Sequence, residues 1–229
     1  MPTNSIALRS RRELTLVQRH PRIRVDRRLL RRILRAALAD PVFSRPAPEA
    51  APRRGRRAFQ VRTPRSGASD SPRARICYEL GCFLVGADEI TALNGRYLAH
   101  AGVTDVIAFD YGPPPGARPG DPWLCGEVFV CLDEAGIQAR RYRTTWTSEL
   151  VRYLLHGLLH LRGYDDVTPG WRRRMKRIEG RLVREMRSKF DFTRLGPASI
   201  RATMRGAHRR RDHQAERPTP ASTRPGARP

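Results

Sequence analysis

Lysine is nearly missing from this 229-residue chain. Lys176 and Lys189 are the only two among 45 basic residues, so the cationic character rests on arginine. Long apolar runs are missing too: the longest uncharged stretches, 80–87 and 153–161, fall well short of the about 18 residues needed to cross a bilayer, and no membrane role is expected. The opening MPTNSIALRSRREL has no apolar h-region, so a secretory signal is not expected. Composition leaves an Arg-rich amphipathic targeting peptide open, and the cytoplasm is the expected compartment. Only four cysteines are present, too few for a disulfide scaffold at this length. Cys77 and Cys82, five apart in a strand-like segment, point to opposite faces, so a zinc quartet with Cys125 and Cys131 is not expected and the thiols are read as core residues. No similarity recurs at a period of 20–50 residues, which excludes a solenoid or propeller.

What the chain does have is a net charge of +23, unevenly spread. Lys and Arg exceed Asp and Glu by 15 over residues 1–75 and by 13 over 168–229, whereas 76–167 carries a net −5. The arginine runs at 53–57, 172–174 and 209–211 would give a polyanion sequence-independent, salt-sensitive affinity, and nucleic acid is the natural partner. The competing reading is that these arginines only solvate the protein. Residues 44–75 and roughly 195–229 are rich in Pro, Ala, Gly, Ser and Arg with almost no periodic apolar residues, the composition of disordered segments.

The remaining chain has enough apolar material (39% hydrophobic residues) for one domain. A short strand is expected at 22–25, a helix at 27–38 with Leu29, Leu30, Ile33, Leu34 and Leu38 at helical spacing, and a strand at 75–85. A helix at 88–100, a buried strand at 106–109, a loop at 113–122 and a strand at 127–132 follow. The strongest helix spans 145–161, and a last, basic one spans 171–187. This pattern predicts a single small α+β domain, a mixed sheet packed with helices.

The segment His156-Gly-Leu-Leu-His160-Leu-Arg-Gly163-Tyr-Asp165-Asp166 carries the chemistry. At helical spacing His156 and His160 lie about 40° apart around the axis, so both imidazoles can reach one metal ion. Leu150, Val151, Leu154 and Leu158 fall about 120–220° away, an apolar stripe for the core. Gly163 stands where the chain must leave the helix, through a positive φ that lets it double back and bring Asp166 to the same ion at the helix C-terminal end. Three ligands plus water make an open catalytic site, with zinc or another first-row divalent ion as the cofactor. Glu149, Arg152 and Tyr153 lie within about 60° of His156 and are candidates for supporting the ligands, phosphate contact or proton transfer. The spacing also matches the metzincin metalloproteases, but those place Glu after the first His as general base, and this chain has Gly157.

The string HGLLHLRGYDD resembles the HGxLHLxGYDH signature of the YbeY endoribonucleases, the bacterial rRNA maturation factors. Leu93-Asn94-Gly-Arg-Tyr97 and Thr104-Asp105-Val106-Ile107-Ala108-Phe109 resemble that family's LNxxY and TDVLSF blocks. Gly126-Glu127 resembles its GD/GE strand, and Met175-x3-Glu179 its final helix. The resemblance implies a basic N-terminal extension over 1–20, a metal-dependent ribonuclease domain over 21–190 interrupted by a disordered insertion at 44–75, and a basic disordered tail over 191–229. It also implies a zinc-like ion on His156, His160 and Asp166. The implied work is single-strand-specific RNA cleavage in rRNA 3′-end maturation and ribosome quality control, on rRNA or the small ribosomal subunit. Arg152 and Glu149 are the further catalytic candidates, with Asp105 a second guess for a base.

Two departures stand out. Asp166 occupies the position where the family pattern has His, which lowers the formal charge of a divalent site from +2 to +1. Leu98 follows Tyr97 where many members have Arg, which leaves a phosphate contact to Arg152 or Arg96. Two other classes stay open: a metal-dependent peptidase or other hydrolase, and a non-catalytic ribosome-assembly RNA-binding protein whose metal staples the last loop, Asp165 serving as fourth ligand.

Overall fold

The computed structural model describes residues 11–45, 76–115, 117 and 122–196. Most of the expected insertion and tail (46–75 and 197–229), and part of the expected 113–122 loop, lie outside the described residues. The chain forms a mixed four-stranded sheet with helices. In order, the elements are β1 (Arg12–Gln18), α1 (Arg27–Leu38), a short α2 (Pro41–Ser44), β2 (Cys77–Val85) and α3 (Ala87–Leu93), which runs into a π-helical turn (Asn94–Leu98). They continue with β3 (Val106–Asp110), β4 (Trp123–Cys131), α4 (Leu132–Arg141), α5 (Trp146–Leu161), α6 (Pro169–Lys189) and a 3₁₀ turn (Phe192–Leu195). The strand order is β1-β2-β4-β3, with β1, β2 and β4 parallel and β3 antiparallel to β4.

Period-two alternation divides the sheet into two faces. Leu14, Leu16, Tyr78, Leu80, Cys82, Leu84, Leu124, Val128 and Val130 face the main core with α1, α4, α5 and α6. Val85, Ile107, Phe129 and Cys131 face a smaller cluster closed by Ile90 of α3. Cys82 therefore sits on the opposite face from Cys131, and none of the four cysteines is in a disulfide. Burial pushes the Cys82 thiol up to about 12, as suits a core residue.

Three elements differ from the sequence expectation. The edge strand is Arg12–Gln18, inside the segment expected to be an N-terminal extension, and 22–25 is extended loop. The loop needs no sheet partner because side chains satisfy its backbone: Gln18 accepts from Val25 N–H (3.1 Å), and His20 Nδ1 accepts from Ile23 N–H (2.9 Å). Helix α4 follows β4 directly, where the sequence reading placed nothing. The folded unit also runs past residue 190, because Phe192 and Leu195 are buried and the Leu195 carbonyl accepts from Asp26 N–H (2.9 Å). Among the described residues no helix is long and apolar enough to cross a membrane.

Candidate metal centre

Helix α5 lies close against the sheet because Gly157 lets it. A Cβ at Gly157 would stand 2.5 Å from Val128 Cγ1 and 3.2 Å from Val106 Cγ2. Leu150, Val151, Leu154 and Leu158 are buried in the core as the stripe required, and His156 and His160 are left half-buried on another side of the helix. Thr145 caps the helix by accepting from Ser148 N–H (3.2 Å). At the other end Gly163 takes φ +94, and Tyr164 N–H bonds back to the Leu159 carbonyl (3.0 Å). This left-handed exit returns Asp166 to the histidines, as the motif predicted. Asp165 Oδ1 accepts from the amides of Asp166 (2.7 Å) and Val167 (3.2 Å), and Arg172 Nε donates to the Asp166 carbonyl (3.0 Å). The side chain proposed as fourth ligand thus shapes the loop, and it is not among the three grouped donors.

The two Nε2 atoms face each other at 3.0 Å, and Asp166 Oδ2 and Oδ1 lie 3.9 Å from His156 Nε2 and His160 Nε2 respectively. Donor atoms around one tetrahedral zinc are about 3.4 Å apart, given bonds of about 2.1 Å, so these separations bracket what a shared ion requires. Among the described residues this is the only group of three or more His, Cys, Asp or Glu able to hold a metal.

Both rings are held from behind. His160 Nδ1 donates to the Tyr164 carbonyl (3.1 Å), and His156 Nδ1 lies 2.9 Å from Glu179 Oε2. A carbonyl can only accept, so Nδ1 of His160 carries the proton and its Nε2 lone pair points at His156. Burial, followed by the neighbouring His156 charge, pushes His160 well below the ordinary imidazole range. Burial would lower His156 also, but the Glu179 carboxylate holds it above that range. Two facing imidazole nitrogens at this distance share either a proton or a metal ion. The set of two nitrogens and one carboxylate fits zinc or a similar borderline ion.

Glu179 is the site residue that the motif did not single out. It is buried on α6, and its other oxygen accepts from Arg152 Nη1 (2.7 Å). Burial would raise this carboxyl, but the bonds from His156 and Arg152 hold it below the usual range. Its signal was in the sequence: Met175, Glu179, Leu182 and Met186 form the buried stripe of α6, and a lone acid on an apolar stripe needs a buried partner.

The remaining candidates are placed as follows. Arg152 is held between Glu179 and Glu149, with Nε 3.3 Å from Glu149 Oε2. Glu149 is buried and accepts from Thr144 Oγ1 (2.6 Å). Both therefore reach His156 only through Glu179. Tyr153 is a core residue. Asp105 Oδ1 accepts from its own strand at Val106 N–H (2.9 Å), and Arg96 lies over the exposed Tyr97 ring. Gly157 packs against the sheet and carries no side chain, so the carboxylate that metzincins place there as general base is missing, which counts against a peptidase.

The family model of Endoribonuclease YbeY matches residues 65–187, more than half of the chain. Relatives carrying that name are 41% identical over 131 residues in Anaeromyxobacter sp. and 38% identical over 106 residues in Salinibacter ruber. These matches cover 57% and 45% of this chain, and 66% and 68% of those proteins. A relative of the same name in Myxococcus xanthus is 38% identical over 124 residues, 54% of this chain and 42% of its own length. The chain thus spans about two thirds or less of the first curated relatives it matches. It belongs to the YbeY endoribonuclease family.

Proposed function

We propose that this chain is a metal-dependent endoribonuclease that cleaves single-stranded RNA and acts in rRNA 3′-end maturation and ribosome quality control. The observation that carries the reading is the pair of facing Nε2 atoms with Asp166 closing the third side. His156, His160 and Asp166 would hold the ion. When bound, such an ion supplies Lewis-acid polarisation of a phosphodiester and acidification of water. Around it the protein's own work is orientation: Glu179 fixes His156, the Tyr164 carbonyl fixes His160, and Arg172 with Asp165 fixes the Asp166 loop. The family name, shared by every relative described above, supplies the substrate class.

The test is metal analysis of the purified protein beside a His156→Ala, His160→Ala double variant, with cleavage of single-stranded RNA assayed on both. The expected outcome is about one divalent ion per chain and RNA cleavage in the wild type, both lost together in the variant. RNA binding without cleavage in the metal-loaded wild type would favour an assembly factor whose metal only staples the loop.

A further inference from the structure

Helix α6 carries nine cationic side chains and two acidic ones, and it sorts them. Its apolar stripe, Met175, Leu182, Val183 and Met186, is buried in the core with Glu179. The two carboxylates that pair with cations of this helix are Asp40 and Glu185, and they take Arg181 and Lys189. Arg172 bonds the carbonyls of Asp166 and Val167, and Arg174 lies over the Trp171 ring. Five cations remain: Arg173, Lys176, Arg177, Arg184 and Arg187. All five are exposed, and among the described residues none has an acidic partner. Three of them, Arg173, Arg177 and Arg184, share one line along the helix.

At about 100° per residue these three fall within a sector of about 40°, opposite the buried stripe, and span about 16 Å of the helix. Gly180 leaves no side chain between Arg177 and Arg184, and the Arg184 guanidinium lies over the gap, with Nη1 3.4 Å from where a Cβ would be. Lys176 and Arg187 flank the row, also exposed. Arg172, next to Arg173 in the chain, ties the first turn of α6 to the backbone of Asp166, so the N-terminal end of the row belongs to the turn that anchors the Asp166 loop.

We infer that the outward row Arg173, Arg177 and Arg184 of α6 is a track for the phosphate backbone of single-stranded RNA leading to the metal cluster. For the class of partner this rests on the ribonuclease reading above. An anionic membrane would demand an apolar face beside the charges, and the apolar face of α6 is already used by the core. A linear, unpaired, sequence-blind row of guanidinium groups is complementary to a polyanionic strand.

Binding of a fluorescent single-stranded RNA to the full chain, followed from 50 to 200 mM salt, tests the track. Replacing Arg173, Arg177 and Arg184 together by Gln should flatten the slope of log K against log salt by about 2, at about 0.7 per lost contact to a single strand. The corresponding triple Lys variant should keep the slope. Bound metal, measured in parallel, should not change. An unchanged slope in the Gln variant overturns the track, as does binding to phosphatidylserine vesicles with the same arginine dependence while RNA is ignored. Cleavage by the wild type reports separately on the ribonuclease reading: RNA bound with the arginine-dependent slope but not cut would support the track and sink the nuclease.

Discussion

Glu179 Oε2 lies 2.9 Å from His156 Nδ1, so an acid on α6 sets the orientation of a histidine on α5. The same carboxylate holds the half-buried Arg152, which in turn reaches Glu149, and a chain of charges joins the two helices behind the candidate metal centre. A carboxylate behind a ligating imidazole fixes its tautomer and raises its basicity.

Glu179→Gln keeps the shape but removes the charge. Zinc affinity, measured by competition with a chromogenic chelator, is expected to fall roughly 10- to 100-fold, the usual cost of losing such a partner. Loss of melting temperature with unchanged zinc affinity would reduce Glu179 to a packing residue.

Gly157 sets the distance between α5 and the sheet. Gly157→Ala forces a methyl into Val128 and Val106 and should cost about 1–3 kcal/mol, read as a lower urea midpoint at unchanged m-value. Because Val128 Cγ1 is the nearest obstacle, Val128→Ala should recover part of that loss in the double variant. Strictly additive losses would show that the helix does not rest on Val128.

Asp40 caps α2 through Val42 N–H (2.9 Å) and receives a two-pronged contact from Arg181 of α6 (2.7 and 2.9 Å). Burial would raise its carboxyl, but the Arg181 bond, then the Val42 amide and the Arg181 charge, hold it below the usual carboxylate range. A depressed acid stabilises the fold above its unfolded pKa of about 3.9, and that contribution is lost as pH falls through the lower folded value. Urea midpoints of wild type and Asp40→Asn should therefore differ at pH 6, and the gap should begin to narrow as pH falls below about 4. A gap as wide at pH 3 as at pH 6 would rule out the charge as its source.

Local periodicity was enough for much of the fold and for the heart of the candidate site. Leu29 to Leu38 wrote α1, the run from Thr145 to Leu161 wrote α5, and the spacing of His156, His160, Gly163 and Asp166 brought three donors together. These are settled within a few turns of backbone, by the pitch of a helix and by the freedom of one glycine to take φ +94. The edge strand escaped such reading because Arg12–Gln18 buries only Leu14 and Leu16 among charged and polar neighbours. Its hydrogen bonds come from β2, more than sixty residues away.

The sequence by itself determined a helix with two histidines on one side, a turn that returns an aspartate to them, and a core large enough to hold both. Tertiary structure alone decided which neighbours those groups meet. It set Glu179 behind His156, locked Arg152 between two carboxylates, turned Asp165 to the backbone and pressed Gly157 onto Val128. The spacing of donors along one helix follows from its 3.6-residue turn, whereas contact between α5 and α6 depends on how two amphipathic faces pack on the sheet, which no local pattern encodes.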